Sequence, residues 1–249
     1  METWVAILLP FALVFARTTA MLLAFPLFSS ASMPQPLKVG LATLMTIFFA
    51  TNLPAPELAA TQVAMFGALV LLVREVLCGL ALGLAARLIF LAIQQGGILI
   101  GREMGFYTAS IVDPSTDQES EPFGIYLETV FILLFLATGG HHLLIRLIGR
   151  SFQAMPIGGE IDFGVLAAGV LAAGGAMLLF ALKLAAPILA ALLVLAVVLG
   201  VLGRVMPEMD ILMTSLPVRV GVALMLATAM VPVLQTFTDD IAQWINRFL

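Results

Sequence analysis

Reactive chemistry is what this sequence has least of. Its 249 residues hold one cysteine, Cys78, and two histidines, His141 and His142. A single thiol excludes a disulfide framework. The histidines are adjacent, so on a helix they point about 100° apart, whereas a helical metal pair needs i, i+3 or i, i+4 spacing. No other histidine exists to complete a zinc shell. Neither the phosphate-cradling pattern G-x-x-x-x-G-K-[ST] nor the nucleophile elbow G-x-S-x-G occurs. Arg74-Glu75 and Arg102-Glu103 are sequence neighbours that project in different directions, so neither is an acid–base dyad. A non-enzyme without cofactor or metal is expected.

Charge is scarce as well. Charged residues make up 10% of the chain, where soluble domains run near 25%. The balance is 11 bases against 15 acids, net −4. No basic patch is present to neutralise phosphates, which argues against nucleic acid. Hydrophobic residues fill the space, at 62% and a mean hydropathy of +1.14. An ordinary water-facing surface cannot be built from this composition. The class is an integral membrane protein, or a subunit buried among similar subunits. The opening METWVAILLPFALVFARTTA lacks a basic n-region, and its apolar run continues to Phe28. The first helix is therefore expected to stay in the mature protein.

Apolar stretches approaching the ~20 residues of a membrane span predict an all-α chain of about six to eight helical pieces. They fall at 4–28, 37–52, 58–101, 123–150, 163–203 and 209–235. The third and fifth exceed a bilayer's thickness. Arg74 and Glu75 are expected to interrupt 58–101, GGHH to break 123–150, and Pro187 to bend or split 163–203. An amphipathic tail, TDDIAQWINRFL, follows. Arg17, Arg74, Glu75, Arg87, Lys183 and Arg219 all lie inside apolar runs. Each costs at least ~2.5–3.5 kcal/mol at a bilayer centre, so they read as snorkelling cations or as groups facing a partner or a wet lumen. Gly79 and Gly83, Gly97 and Gly101, and Gly101 and Gly105 are G-x-x-x-G pairs, and AAGVLAAGGAM at 167–177 adds small residues. Such faces predict close helix packing. PLKVGLATLM at 36–45 echoes PVRVGVALML at 217–226. Both place a cation, Lys38 or Arg219, where an expected helix start would disfavour it.

One stretch differs from the rest: GREMGFYTASIVDPSTDQESEP, residues 101–122. After Glu103 it carries four acids, Asp113, Asp117, Glu119 and Glu121, and no base after Arg102. Its first half is apolar and aromatic, with Phe106, Tyr107, Ile111 and Val112 beside the backbone freedom of Gly105. Asp113-Pro114 favours leaving the helix there. A loop of about 20 structureless residues is usually functional or disordered, and this one reads as a plug or as a solvated connector.

The chain resembles the FliR family of flagellar and type III secretion export-gate proteins. The residues that carry the likeness are Gly101, Met104-Gly105, Asp113-Pro114, GGHH at 139–142 and PIGGE at 156–160. Pro34 with Lys38, Ala186-Pro187, Gly200 with Arg204 and Pro207, and Pro217 with Gly221 flank them. The resemblance implies a subunit of an export gate formed with FliP and FliQ, to which FlhB attaches. Its central pore passes unfolded substrates, at the bacterial inner membrane within the basal body. It also implies a FliP-like part over about 1–160 and a FliQ-like helical hairpin over 161–249. The central loop, 104–122, would plug the closed pore, with Met104, Gly105, Phe106, Tyr107, Ile111, Val112, Asp113 and Pro114 forming the plug. Lys38, Arg74, Arg87 and Arg219 are expected as subunit-contact charges. Two readings compete with the flagellar one: an injectisome gate subunit, and a small-solute transporter with its binding region at Pro187 and Pro217. A metal-dependent intramembrane enzyme would rest on His141-His142 alone.

Overall fold

The computed structural model describes residues 2–29, 33–52, 65–106, 121–206 and 211–234; residues 2–7, 27, 29 and 211–213 are described by backbone alone. Among the described residues the regular structure is helical, with no strand. The helices are α1 (Glu2–Ala24), α2 (Pro26–Ser29), α3 (Gln35–Asn52), α4 (Met65–Met104), α5 (Pro122–Ala137), α6 (Gly140–Ala154), α7 (Phe163–Val205) and α8 (Ile211–Ala229). The all-α expectation holds.

Neither overlong run is split. α4 runs unbroken through Arg74 and Glu75 for 40 residues, about 60 Å at 1.5 Å per residue. Both charged heads find polar partners at the Gly158-Gly159 turn, so the backbone has no need to open. α7 likewise continues for 43 residues with Pro187 inside it. Proline removes one N–H bond from a helix whose other apolar residues still favour the helical state, and membrane helices tolerate this. α4 and α7 are each long and apolar enough to cross a membrane, and each is about twice the ~30 Å hydrocarbon thickness. The expected break at GGHH is present: Gly139 has φ +79° and separates α5 from α6. The tail TDDIAQWINRFL lies outside the described residues.

The chain forms two compact units, each drawn from separate stretches of sequence. The first takes in the described parts of residues 1–88 and 139–174. Its core holds Leu13, Val14, Phe25, Phe49, Leu82, Leu147 and Phe152, all buried, with the Phe49 and Phe152 rings 5.7 Å apart. α1 crosses α4 at the first glycine pair. A Cβ on Gly79 would sit 2.4 Å from the Arg17 carbonyl oxygen, and one on Gly83 would sit 2.6 Å from Ala24 Cβ.

The second unit takes in the described parts of 89–138 and 175–241. Phe90 packs against Phe131 and Phe135 with centroids 5.3 and 5.2 Å away. A Cβ on Gly97 would lie 2.7 Å from Gly124 Cα, and one on Gly96 would lie 3.0 Å from Leu184 Cδ2. Gly174 and Gly175 behave differently, because an added Cβ there meets nothing within 4 Å. These two glycines of the run at 167–177 are therefore not packed as the first two pairs are, although Ala173 beside them is buried. The units interleave in sequence, so they follow a different division from 1–160 and 161–249, which rests on likeness rather than contact.

Candidate functional site: the stem of the central loop

The central loop leaves from the end of α4 and returns at α5. On the outgoing side Ile100 and Met104 are fully buried. Gly105 closes the helix, its N–H donating to the Arg102 carbonyl at 3.1 Å with φ +93°, a conformation side chains rarely adopt. Phe106 is half-buried beside it. On the return side Glu121 precedes Pro122, which starts α5, where a missing N–H costs nothing. Phe123 is buried, and a Cβ on Gly101 would touch Phe123 Cβ at 3.3 Å. The second and third glycine pairs share Gly101, so one small-residue face brings the two sides of the stem together.

Polar contacts fasten this stem. Arg102 Nη2 donates to Glu121 Oε1 at 3.0 Å, with the two side chains 55% and 27% exposed. Arg219 Nη1 donates to the Glu103 carbonyl at 3.2 Å, satisfying an acceptor that the last turn of α4 leaves open. A cation at a helix C-terminus is favourable. Arg219 also corrects a sequence expectation. α8 begins at Ile211, so Arg219 lies in its third turn and does not oppose the dipole.

A second constellation sits in the first unit. Arg17 and Glu75 are buried at 0% and 1% exposure and form an ion pair from Nε to Oε2. Arg17 Nη1 also donates to the carbonyls of Ser151 and Met155, at 3.0 and 2.7 Å, and its guanidinium lies 4.7 Å from the Phe152 ring centroid. Gly158 N–H donates to Glu75 Oε1 at 3.4 Å, and Arg74 Nη2 donates to the Gly159 carbonyl at 2.8 Å. The charges interrupting two apolar helices thus converge on the end of α6 and the turn after it. The family motif PIGGE supplies that turn.

The expected site residues divide as follows. Met104, Gly105 and Phe106 form the outgoing side of the stem, whereas Tyr107, Ile111, Val112, Asp113 and Pro114 lie outside the described residues. Arg74 and Arg219 bond backbone carbonyls of this chain. Lys38 lines a cleft of about 150 Å³ with Phe15, Thr19, Leu22, Phe28 and Val39. Arg87 is exposed. His141 and His142 are exposed with rings 4.2 Å apart. The described residues contain no group of three or more potential metal-ligating His, Cys, Asp or Glu side chains. Sequence reasoning missed both ion pairs. In the sequence Arg17 and Glu75 read only as charges inside apolar runs, and Glu121 as one of several loop acids.

Comparison with known proteins agrees with the motifs. The model of the family described as bacterial export proteins, family 1, matches residues 8–244. The flagellar biosynthetic protein FliR of Escherichia coli (strain K12) is 32% identical over 248 residues, covering 100% of this chain and 94% of that protein. FliR of Bacillus subtilis (strain 168) is 31% identical, covering 86% and 82%. The Yop proteins translocation protein T of Yersinia pestis is 24% identical, covering 66% and 64%. With a match over nearly its whole length and relatives above 30% identity, the chain belongs to the FliR family of bacterial export proteins.

Proposed function

We propose that this chain is a non-enzymatic subunit of the flagellar type III protein export gate. In this reading it assembles with FliP and FliQ, with FlhB attached, at the inner membrane within the basal body. Its FliP-like part is about 1–160 and its FliQ-like hairpin 161–249, and unfolded substrates pass through the shared pore. Loop 104–122 closes that pore, with Phe106, Tyr107, Ile111 and Val112 as the occluding side chains. The observation that carries the reading is the stem. A long loop stands on a base held by Arg102–Glu121, Gly101 against Phe123, and Arg219 on Glu103. A fixed base limits where the loop tip can go, as a plug requires.

The flagellar reading is favoured over the injectisome one by the FliR relatives. They are more similar and cover more of the chain than the Yersinia protein does. Arg87, exposed on α4, is the best placed of the four expected charges to meet an acid of a neighbouring subunit. The test is deletion of 106–119 in the complete gate, confirmed by co-purification of its partner subunits. Ion leak across the membrane should rise. Unchanged leak in a fully assembled complex overturns the plug.

A further inference from the structure

Within the second unit α7 turns outward a face that neither the stem nor the buried ion pair uses. The opposite side of the helix buries Leu184, Ile188 and Leu192. Leu179, Lys183, Ala186, Ala190, Val194 and Val197 recur every three or four residues, so they form one row along the helix. All six are exposed. Lys183 stands near the middle of the 43 residues of α7, with about 30 Å of helix on either side. From 163 to 203 it is the only residue with a polar side chain. Its ammonium lies 5.8 Å from the Phe180 ring centroid, at the outer range of cation–π attraction, which leaves its three N–H donors open. Pro187 adds a second polar group at the same level. It has no N–H to offer the carbonyl four residues back, so the Lys183 carbonyl lacks its usual helical donor. A lone ammonium and an open carbonyl share one spot of an otherwise apolar face.

We propose that this face docks a helix of a neighbouring gate subunit, apolar along its length and carrying one carboxylate that pairs with Lys183. The inference rests on reading the chain as one subunit of an assembled gate. Charge complementarity selects the occupant. Hydrocarbon does not reward an ammonium. A headgroup zone is marked by Trp, Tyr and clustered bases, and 163–203 holds none of these besides Lys183. The apolar surface instead continues on both sides of the lysine, with Leu179 53% and Val194 and Val197 each 63% exposed. A single covering helix meets that order, whereas a bilayer boundary changes from one kind of surface to another. A second copy of α7 is unsuited, since it brings another lysine and no acid. Ala186 and Ala190 follow the lysine with short side chains, which lets a partner backbone come close. A hydroxyl or amide beside the partner's carboxylate would answer the Lys183 carbonyl, as neighbouring helices do for prolines in membrane helices. One polar pair in an apolar seam also fixes the register of the two helices.

The assembled complex is purified through a tag on this chain, with the photoreactive residue p-benzoylphenylalanine in place of Val194. Ultraviolet light should crosslink it to one partner subunit, at a helix that carries an Asp or Glu. Without the photoreactive residue, Lys183→Glu should lower recovery of that subunit on the order of ten-fold, and Lys183→Met by a smaller factor. Lys183→Arg should keep most of it. Changing the acid of the crosslinked helix to lysine, together with Lys183→Glu, should restore recovery. Crosslinks to lipid alone, to a second copy of this chain or to a helix without an acid overturn the proposal, as does unchanged recovery with Lys183→Glu. Circular dichroism and gel filtration of each variant chain establish that a lost partner is not a lost fold. A wild-type chain that brings down no other subunit sinks the gate reading and this inference together. An intact complex crosslinked only to lipid sinks this inference alone. Neither outcome depends on the plug, which is read by leak.

Discussion

Arg17 has no access to solvent, and it is held by an acid on α4 and two carbonyls at the end of α6. Moving a guanidinium and a carboxylate out of water is expensive, and their attraction offsets this only when further hydrogen bonds satisfy them. Here Gly158 N–H and the Ser151 and Met155 carbonyls provide three such bonds, while Arg17 Nη2 is buried without a hydrogen-bond partner. Removing one partner leaves an uncompensated buried charge. Arg17→Met alone should therefore destabilise the first unit by about 3–5 kcal/mol, and Glu75→Leu by a similar amount. Making both substitutions together should recover much of the loss, because the core is then apolar throughout. Thermal melts of the detergent-solubilised protein measure this. Wild-type melting in both single variants would sink the assignment. The sequence showed that both charges interrupt apolar runs. It could not pair them, because they stand 58 residues apart and a sequence carries no register between helices.

At the scale of helices, the glycines separate contacts made within the chain from surfaces left open. Gly79 lies against the Arg17 backbone, where an added methyl has no flexible neighbour to displace. Overpacking of this kind costs about 1–3 kcal/mol, so Gly79→Ala should lower the melting temperature of the isolated chain. Gly174 and Gly200 meet open space, so alanine at either position should be neutral or stabilise the helix by about 0.5–1 kcal/mol. Equal effects at all three positions would contradict the packing described. Four-residue spacing in the sequence gave the right expectation at Gly79 with Gly83 and at Gly97 with Gly101. At Gly174 and Gly175 the same spacing meets no neighbour, because spacing identifies a face suited to close approach and not whether the chain provides a helix to fill it. At Pro187 the sequence left bend and split open, and α7 is not split. A proline counts as a breaker in water, yet in an apolar helix one lost hydrogen bond does not outweigh the cost of exposing several more.

For the molecule as a whole, the family and the all-α class were legible from the ordered motifs and the composition, but the fastening of the loop was not. Glu121 looks like any other acid of STDQESEP until the stem brings it to Arg102. Their exposure settles what the pair can do. An ion pair open to solvent contributes roughly 0–1 kcal/mol, too little to hold the fold but enough to shift a balance between two loop positions by up to about five-fold. Arg102→Glu and Glu121→Arg, each made singly, should therefore leave thermal stability unchanged while raising ion leak through the assembled gate. Each single change places two like charges together at the stem. The double variant restores an opposite-charge pair with the polarity exchanged, so its leak should return toward wild type. High salt should raise the wild-type leak and reduce the differences among variants, because exposed pairs are screened. If deletion of 106–119 leaks while all three charge variants match wild type, the loop closes the pore without the clasp. If the single variants leak and the exchange does not rescue them, Arg102 or Glu121 acts through some other contact, and the pairing across the stem is not what holds the gate shut.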